Sequence, residues 1–263
     1  MKNNKEPLAY IRTIDELRCG ARMLADHPER KIKYVWELII SLKEDLEADL
    51  KILGAGVKGH VDHSVIIYSK ENVLIEEGAE VEAGTVLDAR SGPIYVGKGT
   101  IIRPQSYLRG PLSIGPECRI GGEVTHSIFH GYSNKAHYGF IGHSYIGEWV
   151  NLGAGTTNSN LKNTYGTVKM NGIDTKQQFL GCIIGDFAKL GIGTLIPTGA
   201  VVGFGANLFG GGMTSKNVPN FAWGDKEKYR LDDFIKSAEL AMKRRGKILA
   251  NELKKKIEKN YLG

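Results

Sequence analysis

The chain has 263 residues, 41% of them hydrophobic, enough to bury a core and fill one or two domains. Its 34 glycines stand against only 8 prolines, without a collagen-like triplet or a low-complexity tract. The net charge of +6 is concentrated in the tail from Lys236 to Lys259, which fits a solvated face and argues against a nucleic-acid partner.

Cys19, Cys118 and Cys182 are odd in number, far apart and form no CxxC pair. A disulfide framework and a cysteine zinc site are both disfavoured, and a reducing, cytoplasmic setting is expected. The start is polar, and no run of about 18 apolar residues marks a membrane partner.

In chain order, Leu8 to Ile11 suits a short strand, and Thr13-Ile14-Asp15-Glu16-Leu17 has the pattern of a capped helix start. Val35, Leu38, Leu42, Leu46, Leu50 and Leu53 fall three or four apart with charges between them, which predicts one amphipathic helix. Residues 1–60 are therefore expected to form a helical segment packed on the domain that follows.

From about Val65 a different period begins. Aliphatic residues recur every six positions, first at Ile75, Val81 and Leu87, then at Val96, Ile102, Leu108, Ile114 and Ile120, and again from Ile184 through Leu190, Ile196, Val202 and Leu208. Six matches neither a helix face nor a two-sided strand; it is the period of a hexapeptide-repeat parallel β-helix. Each hexad supplies one flat strand whose aliphatic residue points inward, and coils stack at about 4.8 Å. The predicted fold is mainly β, a left-handed parallel β-helix over 61–213.

Ser91-Gly92-Pro93 breaks the phase, Gly122 to Phe140 is irregular, and Asn158 to Gln178 reads as a polar, turn-rich loop on a binding face. After Met213 an exit loop leads into one helix over Leu231 to Tyr261, so that 214–263 forms the last unit. Arg244, Arg245 and Lys254 to Lys256 read as the solvated face of a helix that caps the open end of the prism.

Four of the seven histidines, His126, His130, His137 and His143, lie in the irregular zone. Imidazole serves as a general base near neutral pH and as a zinc ligand. The run GGEVTHSIFHGYSNKAHYGFIGHSYIGEWVNLGAGTTNSNLKN, above all NLGAG and the histidine before it, resembles a known family. It is similar to the C-terminal half of bifunctional glucosamine-1-phosphate acetyltransferase/N-acetylglucosamine-1-phosphate uridyltransferases, from about Ile66 onward. The resemblance implies a homotrimer that transfers an acetyl group from acetyl-CoA to an amino-sugar phosphate, with coenzyme A between adjacent prisms. It places His137 as general base, Arg103 and Asn151 on the sugar phosphate, and Asn160 at the acetyl end of coenzyme A. His126, His130 and His143 are assigned structural or solvent-facing places.

The chain departs from that pattern at three points. The family's lysine upstream of the histidine falls on Thr125 or His126, its tyrosine on Phe140, and a coenzyme-contacting serine on Ile192. Lys135 and Lys162 are the nearby cations that could stand in for the lysine. Two other readings remain open. One is a sugar-phosphate-binding or scaffold trimer without catalysis. The other is a zinc lyase like the γ-class carbonic anhydrases, although His126/His130 and His137/His143 do not have the H-x4-H spacing of that class. No metal is assigned. The opening EPLAYIRTIDELRCGARML also resembles the start of the nucleotidyltransferase domain in some of these two-domain proteins, and YVWELI resembles a stretch just ahead of their coil. The roughly 100–200 residues of a nucleotide-binding domain are missing between them, so nucleotidyl transfer is not expected.

Overall fold

In a computed structural model, which describes residues 6–224 and 227–262, the six-residue period becomes three stacks of inward side chains. On one face Val81, Ile102, Ile120 and Lys135 stand in parallel register, and Leu152, Leu190 and Leu208 continue the stack. On the second, Ile75, Val96, Ile114, Phe129, Ile146, Ile184, Val202 and Val218 follow one another. Ile67, Leu87, Leu108, Val124 and Ile141 build the third. Most strands have only two or three residues, too short to stand alone. They hold because backbone hydrogen bonds join neighbouring coils and each inward aliphatic contributes about 1.5–3 kcal/mol of burial. The result is a parallel β-helix of about nine turns.

The irregular zones stay within the coil. Tyr107–Ile114 and Glu123–Gly131 are long strands that bend from one face to the next. The register between them shifts between Thr125 and Ser127, where His126 adopts φ 42°. That bulge accounts for the broken six-residue phase. The insertion at Ser91-Gly92-Pro93 lies against the following corner so closely that a Cβ on Gly110 would stand 2.0 Å from the Gly92 carbonyl oxygen.

The expected loop folds back on the coil. It forms an antiparallel hairpin, Lys169–Met170 with Ile173–Asp174, around Asn171-Gly172 at φ 49° and 82°. Asn-Gly with both residues at positive φ is the signature of a tight hairpin turn, a signal the loop reading passed over. Val168, Met170 and Leu180 are buried.

One corner carries a ridge of aromatic rings. Tyr132, Trp149, Phe187 and Phe221 all adopt positive φ, near 54° to 61°, which costs a non-glycine residue roughly 1–2 kcal/mol. Tyr132 stacks on Trp149 at 4.4 Å, and Phe204 meets Phe187 and Phe221 edge-on at 5.8 and 5.3 Å. The predicted C-terminal helix is two helices, Leu231–Lys243 and Asn251–Leu262, because Gly246 at φ 65° turns the chain between them. The first is an outrigger along the aromatic corner, seated by Phe234, Ile235, Ala238 and Met242. Asp225 and Lys226 of the exit loop lie outside the described residues.

The N-terminal helix is also interrupted, into Glu37–Ile40 and Leu42–Leu53 at Ser41, whose Oγ donates to Glu37 O and Asp45 Oδ2. Neither the expected strand at Leu8 nor the helix at Thr13 forms. Glu16 accepts from the Thr13 N–H and hydroxyl, but the chain continues as an irregular strap over one face. Leu8, Leu17 and Cys19 are buried there. Arg12 bonds His130, Glu148 at 2.9 Å and Asp186 at 2.7 Å, so His130 has the structural place the sequence assigned it. Asp45 and Asp49 of the helix tie down Arg30 and Arg22 of the strap. Among the described residues no helix is long and apolar enough to cross a membrane.

Candidate functional site

Strand alternation places a polar column directly outside the first aliphatic stack. Arg119, Asn134, Asn151 and Lys189 occupy successive coils in register, with Asn134 Nδ2 3.4 Å from Asn151 Oδ1. Beside them Arg103, Gly121, Ala136 and Gly153 form a second column of mostly small residues. A Cβ on Gly153 would lie 2.7 Å from the Gly191 backbone, so the first glycine of NLGAG permits close coil stacking. His137 follows Ala136 at the next corner and is exposed.

These columns and the C-terminal outrigger enclose a cavity of about 640 Å³. Arg103, His137 and Asn151 all line it, so three of the four sequence-predicted site residues come together. Asn160 does not join them within the chain. It lies beyond the opposite end of the third face, where its Nδ2 is 2.9 Å from His143 Nδ1. The His143 ring stacks on His126 at 4.5 Å, and His126 Nε2 lies 2.9 Å from Ile39 O. Burial, then the neighbouring His126 and Arg109, push His143 down to about 3. That is the behaviour of a packed, neutral imidazole.

The two cations considered as substitutes for the family's lysine do not face the cavity. Lys135 points into the prism, with Nζ donating to Gly121 O at 2.8 Å and to His137 O. Lys162 bonds Thr167 O within its own loop. The positive lining comes instead from Arg103, Arg119, Lys189, Arg244 and Arg245. Arg245 reaches across to Asn134 Oδ1 at 2.8 Å. Reading Arg244 and Arg245 as purely solvated misses this, because nothing local shows that the helix folds back over residues a hundred positions earlier. Arg119 and Lys189 could have been found: each directly precedes an inward hexad residue.

Arg103 pairs with Glu82 at 2.8 Å. Arg119 donates to Gly99 O and Cys118 O, both at 2.8 Å, and lies 3.6 Å from Glu117. Burial, then Arg244, lowers the Lys189 pKa, and burial with Arg119 and Arg244 lowers that of Arg245. Among the described residues, no carboxylate lines the cavity. A basic, half-open site beside an exposed imidazole suits an anionic ligand whose reacting group lies at His137.

No protein-family model matches the chain. It is 30% identical over 152 residues to the bifunctional protein GlmU of Picosynechococcus sp., covering 57% of this chain and 30% of that protein. It is 36% identical over 166 residues to a bifunctional sugar-1-phosphate nucleotidylyltransferase/acetyltransferase of Sulfurisphaera tokodaii, covering 61% of this chain and 40% of that one. The matched region is thus well under half the length of these relatives, and it is their acetyltransferase part. Among solved structures, a putative acetyltransferase of Bacillus cereus aligns with TM-score 0.42 and 17% identity, over 78% of this chain and all of that one. The N-acyltransferase AntD of Bacillus cereus, in complex with dTDP and 3-hydroxybutyryl-CoA, aligns with TM-score 0.32 and 14% identity, over 76% and 96%.

Proposed function

We propose that the chain is a hexapeptide-repeat acyltransferase that moves an acetyl group from acetyl-CoA to the amine of an amino-sugar phosphate. One observation carries the reading: His137, Arg103 and Asn151 line one basic cavity although they come from separate coils. His137 takes a proton from the sugar ammonium, so that the nitrogen lone pair can attack the thioester carbonyl. The N–C bond forms, the C–S bond breaks, and the coenzyme thiolate leaves and is protonated. Arg103 and Asn151 hold the sugar phosphate, Arg103 through its planar donor fork. Arg119 supplies the positive charge that Thr125 cannot.

His137 is exposed on the cavity wall, and Asn160 stands at a different corner beside His143. Both features suit a homotrimer in which the corner bearing Asn160 on one copy completes the His137 cavity of the next, with coenzyme A between them. The 36% identity to a sugar-1-phosphate nucleotidylyltransferase/acetyltransferase supports the same chemistry.

The test is thiol release from acetyl-CoA with glucosamine 1-phosphate and a panel of amino sugars and their phosphates. His137→Ala is expected to lower kcat by about 10²–10⁴, the usual contribution of a general base. Turnover with none of the amines, or an undiminished rate in His137→Ala, overturns the proposal. A thermal shift with acetyl-CoA separates an enzyme from a scaffold that binds no donor.

A further inference from the structure

The five cations of the cavity are not one cluster. Arg103 and Arg119 are held towards the N-terminal end of the coil, the first by Glu82 and the second by the Gly99 carbonyl, one coil back. Lys189 stands three ladder steps from Arg119, about 14 Å at the usual interstrand spacing. Asn134 and Asn151 fill the steps between them. Lys189 and Arg244 form no ion pair among the described residues, and Arg245 bonds only the neutral Asn134.

We infer that Lys189 and Arg244 form a second phosphate subsite. The cavity would then take two separated anionic groups rather than a lone sugar phosphate. The inference rests on the acyl-transfer reading only in giving Arg103 the sugar phosphate. Two cations brought together without an ion-pair partner repel one another, and burial makes that repulsion stronger. Burial is the main cause of the lowered Lys189 pKa, and the neighbouring Arg244 adds to it. A phosphate bound there relieves the repulsion and gains charge-assisted hydrogen bonds. One phosphate cannot satisfy both ends, because Arg103 and Arg119 are tethered away from Lys189. The stacked Tyr132–Trp149 pair adds an aromatic wall between the ends, suited to a ligand with a flat ring. Two sources have this chemistry: a nucleoside diphosphate carried by the acceptor, or the phosphates of the acyl carrier.

Equilibrium titration of the full chain with glucose 1-phosphate, UDP and coenzyme A tests the inference without requiring turnover. The variants are Arg103→Gln, Lys189→Met and Arg244→Gln, each checked for an unchanged melting temperature. Arg244 is exposed, so its variant keeps the test valid if a coil variant fails to fold. Lys189→Met and Arg244→Gln are expected to weaken UDP or coenzyme A about tenfold and glucose 1-phosphate less than twofold. Arg103→Gln is expected to show the reverse selectivity. Whichever of UDP and coenzyme A loses affinity identifies the source. Equal weakening of all three ligands by every variant means one diffuse basic field and overturns the subsite, as does no effect of Arg244→Gln on either UDP or coenzyme A. Thiol release is measured separately: its absence with subsite selectivity intact defeats the acyl-transfer reading alone.

Discussion

Lys135 Nζ donates to the main-chain carbonyl of His137, two residues further on. It does so from inside the prism, in a stack otherwise made of Val81, Ile102, Ile120, Leu152, Leu190 and Leu208. Burial without a counter-charge lowers its pKa to about 8. The ammonium also holds Gly121 O, so one side chain fixes both edges of the corner that presents His137.

Lys135→Met is therefore expected to fold but to lower kcat by about tenfold with little change in KM, since small displacements of a catalytic group are costly. The pH dependence is a second readout. The folded pKa of about 8 lies below the unfolded value near 10.4, so the unfolded chain binds more protons in that window. Wild-type stability should rise from about pH 8 to pH 10, and urea midpoints of Lys135→Met should lack that rise. Identical slopes in the two proteins would show that folding does not depress the Lys135 pKa.

Arg12 is the pin between strap and coil. Its guanidinium meets Asp186, 1% exposed, and Glu148 while lying 2.8 Å from His130 Nε2. Burial raises the Asp186 pKa, and Arg12 opposes that rise. Arg12→Met leaves the buried Asp186 and the partly buried Glu148 without their cation and is expected to cost about 3–5 kcal/mol in chemical denaturation. Adding Asp186→Asn should recover part of the loss, because the two sites share one network. A single variant within 1 kcal/mol of wild type would mean that water reaches the network.

His143 gives an acid-side test. Its folded pKa of about 3 lies below the unfolded value near 6.5, so the stability of the His126–His143 stack is complete above pH 6.5 and falls as pH drops towards 3. His143→Phe keeps a ring in the stack and removes the titration. Between pH 7.5 and 5.5, above most carboxylate titrations, the melting temperature of wild type should fall more than that of His143→Phe. Equal falls would assign the acid sensitivity elsewhere.

Much of the coil was legible because an inward aliphatic every six residues leaves a period that no other common fold shares. The site was legible in part. His137, Arg103 and Asn151 could be named from a motif, and they meet in one cavity. The Lys189 and Arg244 end could not, because an outward lysine and a helical arginine look the same whether they face solvent or each other. The strap escaped prediction for a different reason. Its buried residues, Leu8, Leu17 and Cys19, follow the contours of the coil rather than any period of their own. The break in the C-terminal helix and the hairpin in the polar loop were closer to being readable. Gly246 is an evident stop, and the Asn171-Gly172 turn was marked in the same way.

Phe234 links packing to the distal end of the cavity. Its ring meets Phe221 edge-on at 5.0 Å, Phe187 at 5.9 Å and Phe204 at 5.6 Å, and it is 2% exposed. This contact seats the Leu231–Lys243 helix, which delivers Arg244 and Arg245 to the site. Truncating a buried phenylalanine costs about 3–5 kcal/mol. Here the loss should fall on the helix, because the stacked coils do not need it to complete their backbone ladders. Phe234→Ala is expected to leave the main melting transition within a few degrees of wild type while trypsin cleaves faster after Lys243, Arg244 and Arg245. The acceptor KM should rise, and kcat at saturation should change less, since His137 sits on the coil. A large fall in the main transition without faster cleavage would place the helix inside the cooperative unit and assign Phe234 to the stability of the whole coil.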